Sequence, residues 1–118
     1  MCIVEFLQFQ AQMRVNHWMT QSFAEHKAFG AIYEALDGQI DDFMETYIGI
    51  FGRTDENKSI KLDIKAYSGM GEVKSCITKF EKFLEELSDE IGNEKDLLNM
   101  RDGILGEVSH LRYLLTLK

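Results

Sequence analysis

Hydrophobic residues recur every three or four positions over four stretches of the chain, and each stretch ends at a polar or glycine-bearing break. That period is the helical one. In the first stretch Ile3, Phe6, Leu7, Met13 and Val15 lead to His17 and Trp18, which predicts a helix over about 2–19 with Trp18 packed rather than free. Ser22-Phe-Ala-Glu25 then matches a capping box, in which a serine hydroxyl and a glutamate carboxylate satisfy free amides at a helix start. From there Phe29, Ile32, Tyr33, Leu36, Ile40, Phe43, Met44, Tyr47 and Phe51 keep one apolar face, so a long helix over 23–51 forms the spine of the fold. GRTDENKS at 52–59 breaks the pattern, and Ile60, Leu62 and Ile64 alternate with polar residues. A lone strand would have no partner, so this segment is expected to be extended coil lying on the helices. Val73, Cys76, Ile77, Phe80, Phe83, Leu84, Leu87 and Ile91 predict a third helix over 71–91, ended by Gly92. Asn93 is the expected cap of a fourth over 94–117, whose face holds Leu97, Leu98, Ile104, Leu105, Val108, Leu111 and Leu115.

The links between helices one and two and between three and four are short, whereas helices two and three are joined by a long crossover. That asymmetry predicts an all-α, ferritin-like four-helix bundle with one crossover. With 118 residues and no proline, residues 1–118 are read as a single domain whose helices run uninterrupted.

Composition narrows the function classes. The formal net charge of −7 argues against a nucleic-acid partner, because such binding rests on clustered Lys and Arg. Lys58, Lys61 and Lys65 are the only local basic concentration, and Asp63 dilutes them. No apolar run approaches the ~20 residues of a membrane span, and the first residues carry no signal-peptide pattern, so a cytoplasmic location is expected. Cys2 and Cys76 lack disulfide or metal-type spacing and suit a reducing compartment. Glu107-Val-Ser-His110 has the ExxH spacing of a di-iron helix but points away from the leucine face, as a solvated pair would. Gly69 and Gly71 lack the lysine of a phosphate loop, and the chain offers no Ser-His-Asp or Cys-His arrangement.

One polar stripe on the second helix is the remaining candidate. His26, Gly30, Glu34, Asp37, Asp41 and Glu45 fall beside the apolar face, and Asp41 and Glu45, one turn apart, could direct oxygens at one ion. Acidic pairs at this spacing are also common on solvated helix faces. The run from His17 to Tyr47 resembles the first two helices of Dps proteins, the mini-ferritins. Their pattern is a His-Trp pair near the end of one helix, a His opening the next, and an Asp and a Glu fifteen and nineteen residues later. His17-Trp18, His26, Asp41 and Glu45 reproduce it in order. The resemblance implies a ferroxidase site at a two-fold interface, with His17 and His26 from one subunit facing Asp41 and Glu45 of its neighbour. It also implies iron as the metal and a homo-oligomer as the working form. A further carboxylate expected one turn after the second histidine is Gly30 here, with Glu34 as the substitute ligand one turn on. The loop between the two histidines is shorter than in typical members, and both the basic DNA-binding tail and the crossover helix of the family are missing from the pattern.

The whole chain, from the His17-Trp18 pair through FMETYIGIFGR to LLNMRDGILGEVSHLRYLLTLK, also looks like a family of small proteins encoded by large tailed bacteriophages. That likeness implies the host cytoplasm as the setting. Two functions are therefore expected to compete: a mini-ferritin-like oligomer with a reduced iron site, and a non-catalytic bundle that engages a host protein or sequesters a small molecule.

Overall fold

The computed structural model describes residues 2–53 and 59–118. They form four helices: α1 (Ile3–Met19), α2 (Phe23–Phe51), α3 (Met70–Ile91) and α4 (Lys95–Leu114). No strand occurs among the described residues, and the 54–58 part of the crossover lies outside them. At 1.5 Å per residue the 29 residues of α2 span about 43 Å, matching the 42 Å long axis of the molecule.

Side-chain pairs fix the helix directions. Cys2 with Met44 and His17 with His26 make α1 and α2 antiparallel, whereas Tyr47 with Glu90 brings the C-terminal ends of α2 and α3 together. Arg101 reaches back to Leu84 and Ser88, and Arg112 to Glu81, so α4 returns antiparallel to α3. The order is up, down, down, up. α1 packs on α2 and α3, and α4 packs on α2 and α3, leaving α1 and α4 on one diagonal. The crossover therefore has to carry the chain from one end of the bundle back to the other.

Phe6 sits at the centre of the core, fully buried and edge-on to Phe43, Phe80 and Phe83 at centroid distances of 5.2, 6.1 and 5.3 Å. Such edge-to-face contacts satisfy the ring quadrupoles while three helices close on one side chain. The α2 and α3 faces are those the periodicity predicts, except that Phe51 is exposed. The α1 face is different. Cys2, Phe6, Phe9, Met13 and Asn16 are its buried positions, with Gln10 beside them, while Leu7 and Trp18 point outward. Polar residues at two inward positions hide a regular four-three spacing from any hydrophobic count.

The caps differ in detail as well. Ser22 Oγ accepts the Glu25 amide at 3.2 Å, which is one arm of the expected capping box. The Glu25 carboxylate turns instead to the Thr20 and Tyr67 hydroxyls at 2.9 and 2.6 Å, tying the helix start to the crossover. Glu94 rather than Asn93 holds the N-cap position of α4, with no side-chain cap bond, and the first-turn amide at Leu97 is taken by Asp96; the helix ends at Leu114, short of 117.

Residues 59–69 run as extended coil over α1 and α3, as expected. Gln8 accepts the Asp63 amide at 3.0 Å, and Gln12 both accepts the Lys65 amide at 3.0 Å and donates to its carbonyl at 2.8 Å. The two glutamines, one turn apart, supply the hydrogen bonds that a neighbouring strand would give.

Candidate histidine and carboxylate site

The end of α1 and the start of α2 bring His17 and His26 face to face. Their rings stack at 3.8 Å between centroids and 15° between planes. His17 Nδ1 donates to the His26 carbonyl at 2.7 Å, and His26 Nδ1 donates to the His17 carbonyl at 2.7 Å. A carbonyl oxygen can only accept, so the proton of each neutral ring is on Nδ1 and Nε2 is the free lone pair. Each histidine thus orients the other through the backbone. The His17 carbonyl is free for this because it lies in the last turn of α1, where no helical amide follows to take it.

Gly30 is part of this geometry. A Cβ at Gly30 would lie 2.9 Å from Cε1 and 3.0 Å from Nδ1 of His17. The imidazole therefore occupies the space above residue 30, and no side chain, carboxylate or otherwise, fits there without moving the ring. Glu34, one turn on, is exposed.

Asp41 and Glu45 stand on the same helix but fifteen and nineteen residues beyond His26, more than about 22 Å along its axis. With Asp42 they form an exposed group whose carboxylate oxygens lie within 4.8 Å of one another. One chain therefore brings the two histidines together, and separately the two carboxylates, but does not join the pairs. Asp42 was not singled out by spacing, since it adds nothing to the one-turn pattern; proximity on the helix surface brings it in.

The surface around the histidines is aromatic and basic. Trp18 is 69% and Phe23 74% exposed, correcting the expectation that Trp18 is packed. The Arg14 guanidinium lies 3.7 Å from the Tyr33 ring centroid and 5.8 Å from that of Trp18, and the Lys27 ammonium is 5.5 Å from that of Phe23. These cation–π contacts hold the positive charge at one end of the α1–α2 face. The acidic group and exposed Ile50 and Phe51 occupy the other end. Elsewhere His110 is exposed and Glu107 half-buried, away from the buried Ile104, Val108 and Leu111. Cys2 and Cys76 are free thiols.

The pattern of a family of unknown function, DUF5856, matches residues 17–115, from the first histidine to just past the end of α4. The chain belongs to this family. It is 43% identical over 44 residues to an uncharacterized 14.6 kDa protein of the mobD-ri intergenic region of Enterobacteria phage T4. The match takes in 37% of this chain and 34% of that protein, so the chain spans about a third of the length of its curated relative. No solved structure matches the chain. It is a small helical protein of phage type, and no helix among the described residues is long and apolar enough to cross a membrane.

Proposed function

We propose that this protein acts as an oligomer that takes ferrous iron as substrate at a reduced, mini-ferritin-like site shared between two copies, with His17 and His26 from one and Asp41 and Glu45 from the other. The observation that carries this reading is the reciprocal pair of Nδ1 bonds. Metal-binding histidines characteristically spend their second ring nitrogen on a carbonyl or carboxylate, which fixes the tautomer and presents the other nitrogen. Both histidines meet that condition. A half-buried pair stacked only for packing would not need both tautomers fixed the same way.

The donor set fits a transition-metal ion in part. Two imidazole nitrogens and two carboxylates suit iron, and the carboxylates favour the more highly charged ferric product of oxidation by dioxygen or peroxide. The missing ligand at Gly30 reduces the set, with Glu34 the nearest replacement. Pairing α2 with its symmetry copy, antiparallel about a two-fold near residues 34 and 35, would set the His26 end of one copy against the Asp41–Glu45 end of the other. Exposed Ala31 and Gly38 flank that axis and allow close approach. The basic, aromatic end would meet the acidic end twice, as an isologous interface requires. The up, down, down, up order of the helices is that of the ferritin-like fold, which supports the same reading.

Anaerobic titration of ferrous iron into metal-free protein, followed by admission of oxygen, tests this. Saturable binding by a defined oligomer and rapid ferric absorbance are expected, with both lost in His26→Ala. Iron binding that survives His26→Ala with unchanged stoichiometry would rule out the ligand set.

A further inference from the structure

The extended part of the crossover, a strap over α1 and α3, has two edges, and its hydrogen bonds use only one. On the inner edge Gln8 accepts the Asp63 amide, while Gln12 accepts the Lys65 amide and donates to its carbonyl. Residues 63 and 65 therefore both turn their backbone groups to α1, which is the two-residue alternation of an extended strand. By the same alternation the backbone groups of residues 60, 62 and 64 face the other way. They make no hydrogen bond among the described residues. Residues 59–63 are exposed, with Ile60 at 54% and Leu62 at 39%. An open strand edge of this kind is a template for a further strand.

The side chains on the strap decide which strand fits. Residues 59–65 read SIKLDIK, in which Ile60, Leu62 and Ile64 alternate with Lys61, Asp63 and Lys65. Neither Lys61 nor Asp63 is in an ion pair among the described residues. Lysines on an open edge normally keep other strands away. Asp63 between them reverses this for an antiparallel copy of the same segment, with Leu62 set opposite Leu62. In that register Lys61 of each copy faces Asp63 of the other at the closely spaced positions, whose Cα atoms are about 4.5 Å apart. Ile60 faces Ile64, and the hydrogen-bonding positions 60, 62 and 64 are the ones whose backbone groups are open. Neighbouring registers lose one or the other advantage. Asp63 opposite Asp63 sets like charges together there and pairs Lys61 with Lys65, whereas Ile64 opposite Ile64 leaves Leu62 against Ala66 and Ile60 against Ser68.

We propose that this edge pairs with the same edge of a second copy as a two-stranded antiparallel ribbon, with its two-fold axis at Leu62 and two ion pairs of Lys61 with Asp63. Such a contact is isologous, so each copy offers the same residues. It uses none of the residues of the iron reading, and the strap lies on α1 and α3, apart from the exposed stripe of α2.

Amide exchange at Leu62 and Ile64, followed by nuclear magnetic resonance in the full chain at rising protein concentration, reads the ribbon directly. Both amides should gain protection with concentration, in step with the mass from light scattering. Asp63→Lys and Lys61→Asp each set like charges across the ribbon. Either change alone should lower that protection about tenfold or more while the helical signal stays the same. Mixed at equal amounts, the two variants place Lys against Asp at both positions and should regain the protection, as should one chain carrying both exchanges. Protection that does not rise with concentration would overturn the proposal, as would full protection in either single variant or no recovery in the mixture. Ferrous iron binding is expected to persist in both variants, and His26→Ala to leave the strap amides protected, so the two readings fail separately.

Discussion

At Gly30 a single hydrogen atom decides where an imidazole goes. Alanine is the better helix former by about 1 kcal/mol, so a glycine inside a helix normally invites replacement. Here the added methyl would press on His17 Cε1 at 2.9 Å, and the ring cannot swing aside without losing its bond to the His26 carbonyl. Overpacking of this kind costs about 1–3 kcal/mol, which outweighs the propensity gain. Gly30→Ala should therefore lower the melting temperature, whereas Gly106→Ala, with nothing within 4 Å of its Cβ, should raise it. Equal stabilisation by both substitutions would remove the assigned role of His17. A second residue-level consequence concerns alkaline pH. Burial, then the neighbouring Glu90, pushes the Cys2 thiol up to about 12, and burial with the Glu90 hydrogen bond pushes the Tyr47 phenol up to about 12. Both groups hold their protons more tightly folded than unfolded, so the native state is favoured below their ordinary values of 9.0 and 10.0. That advantage is lost as pH rises from about 9 to about 12. Denaturant midpoints measured across this window should fall, and should fall less steeply in Tyr47→Phe.

Among the elements, the crossover depends most on contacts that sequence patterning does not register. Gln8 and Gln12 hold it by three hydrogen bonds to the backbone of residues 63 and 65. Each such bond contributes about 1 kcal/mol, less where it is exposed, so Gln8→Ala with Gln12→Ala should cost little global stability. The Asp63 and Lys65 amides should nevertheless exchange with solvent much faster, while those of α2 keep their protection. Unchanged exchange at residues 63 and 65 would show that other contacts hold the strap. The α2 and α3 faces could be read from spacing because their inward positions are nearly all aliphatic or aromatic. The α1 face could not, since Gln10 and Asn16 sit inward and Leu7 and Trp18 outward. Likewise, Ser22 and Glu25 announced a helix start, but nothing local could reveal that Glu25 would prefer Thr20 and Tyr67, forty-two residues away, to the amide of its own box. For the candidate site, the ligand types and their spacing were legible. The stacking of His17 on His26 and its consequence for Gly30 were not, because they depend on how closely two antiparallel helices approach.

For the whole molecule, the division of charge along the α1–α2 face is what supports the proposed shared site. Arg14, Lys27 and two histidines gather at one end, and Asp41, Asp42 and Glu45 at the other. In the proposed oligomer the site is completed across two chains, which mixing subunits of two defective variants puts to the test. His26→Ala and the double variant Asp41→Asn with Glu45→Gln should each be inactive alone. Unfolded together and refolded at equal amounts, they should recover saturable ferrous iron binding at about one quarter of the wild-type sites, because half of the random pairs carry one intact site of two. No recovery in mixed oligomers, or iron binding by either variant alone, would contradict the shared site.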